Sequence, residues 1–186
     1  QTGILIRPEH AAGHADLRKA LFDGQPLDEL PPYCIAGRDE NGGWHIIKTA
    51  KVLEAVETAG KIIKVAKNHL FAIGDFVTAG GKFDGASDKI TAIDKSNAAY
   101  DSITLAAAIG AMAKDMVLVA VKSKADAGSA EATVETSEVV ITMAKVDLTV
   151  ANQSCGLMVR GTIEERNMPF PLDADLKKLM PLIRFV

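Results

Sequence analysis

Aromatic side chains are scarce in this chain. They make up 5 % of its 186 residues, and there is a single tryptophan. That scarcity counts against a carbohydrate-cleaving cleft, which is normally walled by aromatic rings around its paired carboxylates. Cysteine is rarer still. Cys34 and Cys155 lie far apart and form no CxxC pair, so no disulfide framework is encoded, and two buried free thiols in a reducing compartment are expected. Charge of one sign is also lacking. The formal net charge is −3, which is not the basic footprint of a nucleic-acid binder. No apolar run approaches the ~20 residues needed to span a bilayer. The first residues do not show the basic-then-apolar pattern of a signal peptide. These absences together lead to the expectation of a soluble protein made in a cytosol, with no nucleic-acid or membrane partner.

Catalytic signatures are missing as well. There is no GxSxG elbow to present a serine nucleophile. Cys155 sits in NQSCGLM, where no helix N-terminus is predicted to lower its pKa, so an inert thiol is expected. His10 and His14 have the i, i+4 spacing of metal ligands, but HAAGH lacks the glutamate of a zincin helix. Gly80, Gly81 and Gly85 match neither a dinucleotide nor a P-loop pattern and read as a hairpin tip. Asp84, Asp88 and Asp94 are wrongly spaced for an EF-hand and read as turn formers. No catalytic residue, cofactor or metal ligand is therefore assigned.

What the chain does have is β-periodicity. Residues 61–121 alternate short β-prone runs with turn punctuation at Gly74-Asp75, Gly80-Gly81, Asp84-Gly85 and Gly110. Runs of strand length separated by gaps of turn length predict an antiparallel β unit. Strands are expected over 44–47, 62–65, 70–73, 76–78, 89–93 and 116–121. Over 102–109, Ile103, Leu105, Ala107 and Ile109 alternate onto one face. Val139, Ile141 and Met143 alternate, then Val146, Leu148 and Val150, then Leu157, Val159, Gly161 and Ile163. Three strands without intervening helices extend the antiparallel reading. Lys61, Lys64 and Lys67 flank the run at 62–65 and read as a solvated strand face, or more sharply as a contact for an acidic partner.

Two stretches depart from the β pattern. Residues 10–22 have 3–4 spacing of Ala11, His14, Leu17 and Leu21 and end at Asp23-Gly24, as a short helix would. Leu172, Leu176, Leu179 and Met180 occupy one face of a second short helix that Pro181 stops. The final run LIRFV either closes a sheet as a last strand or docks on another molecule. The predicted division is an N-terminal arm or subdomain over 1–60 and a β-rich domain over 61–186.

The run NHLFAIGDFVTAGGK, continuing through KITAIDKSNAAYDSITLAAAIGAMAKDMVLVAV, resembles the head fibre and auxiliary capsid proteins of crAss-like and other Bacteroidales phages. The segment GLMVRGTIEERNMPFPLDADLKKLMPLIRFV is similar to the end of the same family, with its VRGT strand, proline pair and PLIRFV finish. The resemblance covers 61–186. The fibre shaft of some relatives has no counterpart here, since no collagen-like or coiled-coil repeat is present, and a compact decoration protein is implied instead.

The resemblance implies a mainly β fold, a small antiparallel barrel or sandwich, with no enzymatic activity. The implied partner is the major capsid protein on the outer surface of a tailed-phage head, with self-association as a trimer and contact with other head proteins as further possibilities. The chain would be made in the bacterial host cytoplasm. Phe170, Ile183, Phe185 and Val186 are the expected apolar anchors of that interface, and Arg160 and Arg184 its polar partners, because aromatic residues and arginine dominate binding hot spots. A receptor- or glycan-binding module displayed on the head is the alternative, and a small hydrolase is the third reading.

Overall fold

In the computed structural model the described residues are 6–7, 28–38, 44–80, 85–126, 128, 132, 134, 138–147, 149 and 155–186. The strands in chain order are β1 (Ile6–Arg7), β2 (Glu29–Leu30), β3 (Ile35–Arg38), β4 (Trp44–Ile46), β5 (Thr49–Lys51), β6 (Ile62–Val65), β7 (Phe76–Ala79) and β8 (Ser87–Asp94). They continue as β9 (Asp101–Leu105), β10 (Val117–Val121), β11 (Glu138–Thr142), β12 (Val146–Asp147), β13 (Leu157–Met158), β14 (Gly161–Ile163) and β15 (Ile183–Phe185). Among the described residues, one α-helix, α1 (Ala174–Lys178), and a 3-10 turn at Glu165–Asn167 precede β15. Among the described residues strands take 42 % and helices 6 %, which makes the fold mainly β. Its sheets are antiparallel apart from one parallel pair, and among the described residues none is closed into a barrel.

The chain divides into two compact units. The first comprises Gln1–Ile47, Glu135–Leu172 and Leu176–Val186. Its main sheet has the order β1-β13-β11-β3-β4, flanked by the small pairs β2–β12 and β14–β15. β11 lies at the centre of the five strands, and Val139, Val140, Ile141 and Thr142 are all buried. The alternation expected there is absent for that reason, since a strand covered on both faces has no solvent side. Thr142 nevertheless has a partner: its Oγ1 accepts the Cys34 N–H at 2.9 Å.

The second unit comprises Lys48–Val134 with Asp173–Asp175. Its six strands run in the order β5-β10-β7-β8-β9-β6 and every pairing is antiparallel. Val52, Ile63, Val65, Phe71, Val77, Ile90, Ile103 and Leu118 are fully buried and belong to one apolar cluster. Ile63 stands opposite Ile103 across β6 and β9, the cross-strand pairing that sets register in a half-buried sheet. The Gly74-Asp75 turn forms as its residues demand. Gly74 has φ +105°, and the Asp75 carboxylate accepts the Ala72 N–H at 2.8 Å and holds Lys48 Nζ at 2.7 Å.

Several boundaries differ from those read in the sequence. The division does not fall at residue 60. β3 and β4 pair into a sheet with β11, about a hundred residues further on, so this part of 1–60 is integral to the first unit. Residues 70–73 are not a strand, because Asn68 turns the chain at φ 63° and Phe71 donates its N–H to the His69 ring. The single strand expected over 157–163 is two, β13 and β14, which turn to different partners, β11 and β15. α1 and the final strand form where expected, with β15 parallel to β14. The helix predicted over 10–22, with His10 and His14, and the tip at 81–84, with Asp84, lie outside the described residues. Leu148 and Val150 do as well.

Candidate functional site

Among the described residues, the large exposed apolar side chains of the first unit gather in its last segment. Leu182 is 62 % exposed and Val186 57 %, with exposed Arg184 between them. Ile183 points the other way and is buried, while Phe185 is half-buried. This is the two-residue alternation of a strand with one wet face. The wet face therefore reads Leu-Arg-Val. Leu179 and Pro181, both exposed, extend it toward α1.

The backbone of this face is held firmly. β15 lies in register with β14, with Thr162 beside Arg184 and Ile163 beside Phe185. The Val186 N–H donates to Ile163 O at 3.0 Å, and the Glu165 N–H donates to Val186 O at 2.9 Å, so the pairing runs through the last residue. Beneath it, Leu172, Leu176 and Met180 of the α1 region are buried. Lys177 Nζ stands 5.7 Å over the Phe185 ring and 2.6 Å from Glu165 Oε2.

The charges on this face are uneven. Glu164 is taken by Arg166 at 2.8 Å and by the Asn167 amide at 3.1 Å. Arg160 and Arg184 are exposed, and among the described residues neither forms a salt bridge. Arg160 immediately precedes β14 and Arg184 lies on β15, so two exposed arginines and a short apolar row belong to this paired segment. Such a surface suits a partner that offers carboxylates beside apolar side chains.

The six interface residues expected from sequence separate into two groups here. Arg160, Arg184 and Val186 are exposed, and Phe185 is half-buried. Phe170 and Ile183 are 9 % and 7 % exposed, so their side chains fill the interior of their own unit instead of anchoring a partner. Leu182, which was not among the expected anchors, is the most exposed large apolar residue of this segment. The lysines flanking β6 are engaged within their own unit. Lys64 Nζ binds Glu54 at 2.8 Å, Lys67 Nζ binds Asp101 at 2.6 Å, and Lys61 Nζ donates to Ala106 O at 3.1 Å.

A second constellation, in the other unit, has no signature in the sequence. His69 and Asp101 are 2 % and 3 % exposed, with His69 Nε2 3.3 Å from Asp101 Oδ2. The two are close but not aligned as a hydrogen bond, and Nε2 has no hydrogen-bond partner. His69 Nδ1 accepts the Phe71 N–H at 3.2 Å. Burial, more than any neighbouring charge, pushes the imidazole down to about 4. Among the described residues no serine, threonine or cysteine is seen bonded to the His69 ring, the place a triad would put its nucleophile.

Both cysteines are free and buried. Burial pushes the Cys34 thiol up to about 12, partly offset by its contact with Thr142 and reinforced by Cys155. The Cys34 thiol donates to Pro31 O at 3.1 Å. A thiol so shifted is almost entirely protonated at about pH 8, so its alkylation should be at least a thousand-fold slower in the folded chain than in denaturant. Peptide mass spectrometry after timed iodoacetamide exposure checks this; rapid labelling of Cys34 in the native chain would contradict it.

Among the described residues no group of three or more His, Cys, Asp or Glu side chains is placed to hold a metal ion, and no helix is long and apolar enough to cross a membrane. No protein-family model, no curated protein and no solved structure matches the chain.

Proposed function

We propose that this chain is a non-enzymatic virion protein that decorates or cements the outer surface of a tailed-phage head by binding the major capsid protein. The observation that carries the reading is the Leu182, Arg184, Val186 face, which is exposed, part apolar, part cationic and pinned by β14 along its length. The resemblance of 61–186 to head fibre and auxiliary capsid proteins gives that face its partner. Arg160 and Arg184 meet carboxylates on the shell, and Leu182 and Val186 meet its apolar side chains. Phe185 supports them from beneath.

A rigid body suits this task. Docking of ordinary strength buries ~1,000 Å² or more in total, and repetition over a lattice multiplies a modest affinity per site. A protein that binds only the assembled shell also stabilises it by mass action. For the second unit, the finer reading is a small antiparallel barrel or sandwich whose edge strands approach one another without closing a sheet. In its support, Val52 bridges Val65, the Leu53 N–H donates to Lys64 O at 2.9 Å, and the Ala66 N–H donates to Lys51 O at 3.0 Å. These bonds bring the two edge strands of the six-stranded sheet, β5 and β6, together.

The reading is tested by co-sedimenting the purified chain with heads that lack it. Saturable uptake at a fixed ratio to the major capsid protein is expected. Uptake that never saturates, or none, contradicts it.

A further inference from the structure

We propose that His69 is an acid-sensitive latch: while neutral it holds Phe71 in the core of the second unit, and on taking up a proton it lets the 68–75 segment open. The geometry carries this. Asn68, at φ 63°, turns the chain so that the His69 ring folds back over its own backbone, and Nδ1 accepts the Phe71 N–H at 3.2 Å. An acceptor at Nδ1 requires the neutral tautomer with its proton on Nε2. Protonation would place a second N–H at Nδ1, pointing at the Phe71 N–H. A hydrogen bond would become a contact between two donors inside a dry core. Phe71 is fully buried in the apolar cluster of the unit, so the two residues are released together.

The charges around the ring decide whether a proton is tolerated. Asp101 faces Nε2 and favours the charged ring, and Asp75 does so more weakly. Both carboxylates already have cations: Lys67 Nζ lies 2.6 Å from Asp101, and Lys48 Nζ lies 2.7 Å from Asp75. Lys67 and Lys95 oppose a further positive charge. Burial acts in the same direction and outweighs the carboxylates, which is why the imidazole is pushed down to about 4. The opened segment, returned to water, regains the ordinary histidine value of about 6.5. The folded value lies below the open one, so the open form binds more protons. Protection is therefore complete above the open value and is lost as pH falls toward the folded one.

The test is amide exchange at Phe71 in the full chain, corrected for the intrinsic pH dependence of exchange. Between about pH 7 and about pH 5, protection of the Phe71 amide should fall by about 20-fold. His69→Asn keeps a neutral acceptor near the Nδ1 position but cannot be protonated, and its protection should stay flat over the same interval. An equal fall in the His69→Asn chain, or no fall in the natural one, overturns the proposal. If the variant does not fold, a nuclear magnetic resonance titration of the His69 ring decides. A midpoint near 4 supports the latch, and a midpoint near 6.5 overturns it.

Discussion

A chain carrying Leu182→Asp together with Val186→Asp should bind bare phage heads at least about 30-fold more weakly than the natural chain, with its fold intact. The fold is expected to survive because both side chains already face water, at 62 % and 57 % exposure, and exposed substitutions usually shift stability by no more than about 0.5 kcal/mol. The binding loss follows from the interface. Truncating a hot-spot residue costs about 2 kcal/mol or more, and here the larger part of the loss comes from placing two carboxylates without partners in a buried apolar contact. Arg184→Glu should weaken binding too, and do so most at low salt, because its effect is a charge contact. Ile73→Asp is the control. Ile73 is 66 % exposed in the other unit, so a general dependence on surface apolarity would show there, and this account expects no change. Co-sedimentation over a concentration series measures all four. Equal losses from Ile73→Asp and from the Leu182, Val186 pair would remove the face from the account.

Phe71→Ala is expected to lower the stability of the second unit by about 3–5 kcal/mol. Phe71 is fully buried among Val65, Val77, Ile90, Ile103 and Leu118, and its removal leaves a cavity that the surrounding strands fill only in part. Domains are commonly stable by about 5–15 kcal/mol, so this loss takes a large share of the total. Exchange protection of the Ile103 and Leu118 amides, which lie on β9 and β10, should fall by two to three orders of magnitude. A change of less than tenfold would mean that Phe71 does not belong to the cooperative core. His69→Asn, which leaves Phe71 and its N–H acceptor in place, should cost far less at neutral pH.

Phe71 also illustrates what could be read from the sequence and what could not. The run HLFAIG has strand composition, and a strand was the expectation at 70–73. Leu70 and Phe71 are buried as a strand core would be, but Ile73 is exposed, and Asn68 and the His69 ring redirect the backbone. Apolar composition reports burial; it does not report whether the N–H groups find a neighbouring strand or a local side chain. β7, β8 and β10 were legible because each is a β-prone run bounded by turn residues at close range. The pairing of β3 with β11 was not, since nothing local marks a contact across about a hundred residues. The division into compact units follows that pairing, with the first unit running to Ile47 and the second beginning at Lys48.

The proposed docking face was partly legible for the same reason. The alternation of Leu182, Ile183, Arg184, Phe185 and Val186 could be seen, but which phase faced water depended on α1 and β14. Phe170 and Ile183 were chosen by residue type, and residue type favours the side chains that a core also takes. His69 and Asp101 stand 32 positions apart, and only the pairing of β9 with β6 and β8 brings Asp101 to the ring.

The central claim is that this chain works by fitted contact with a protein shell. Quantitative mass spectrometry of gradient-purified native phage particles tests it most directly. The account predicts the chain in intact heads at a constant ratio to the major capsid protein, unchanged by further washing. Particles free of the chain would contradict it.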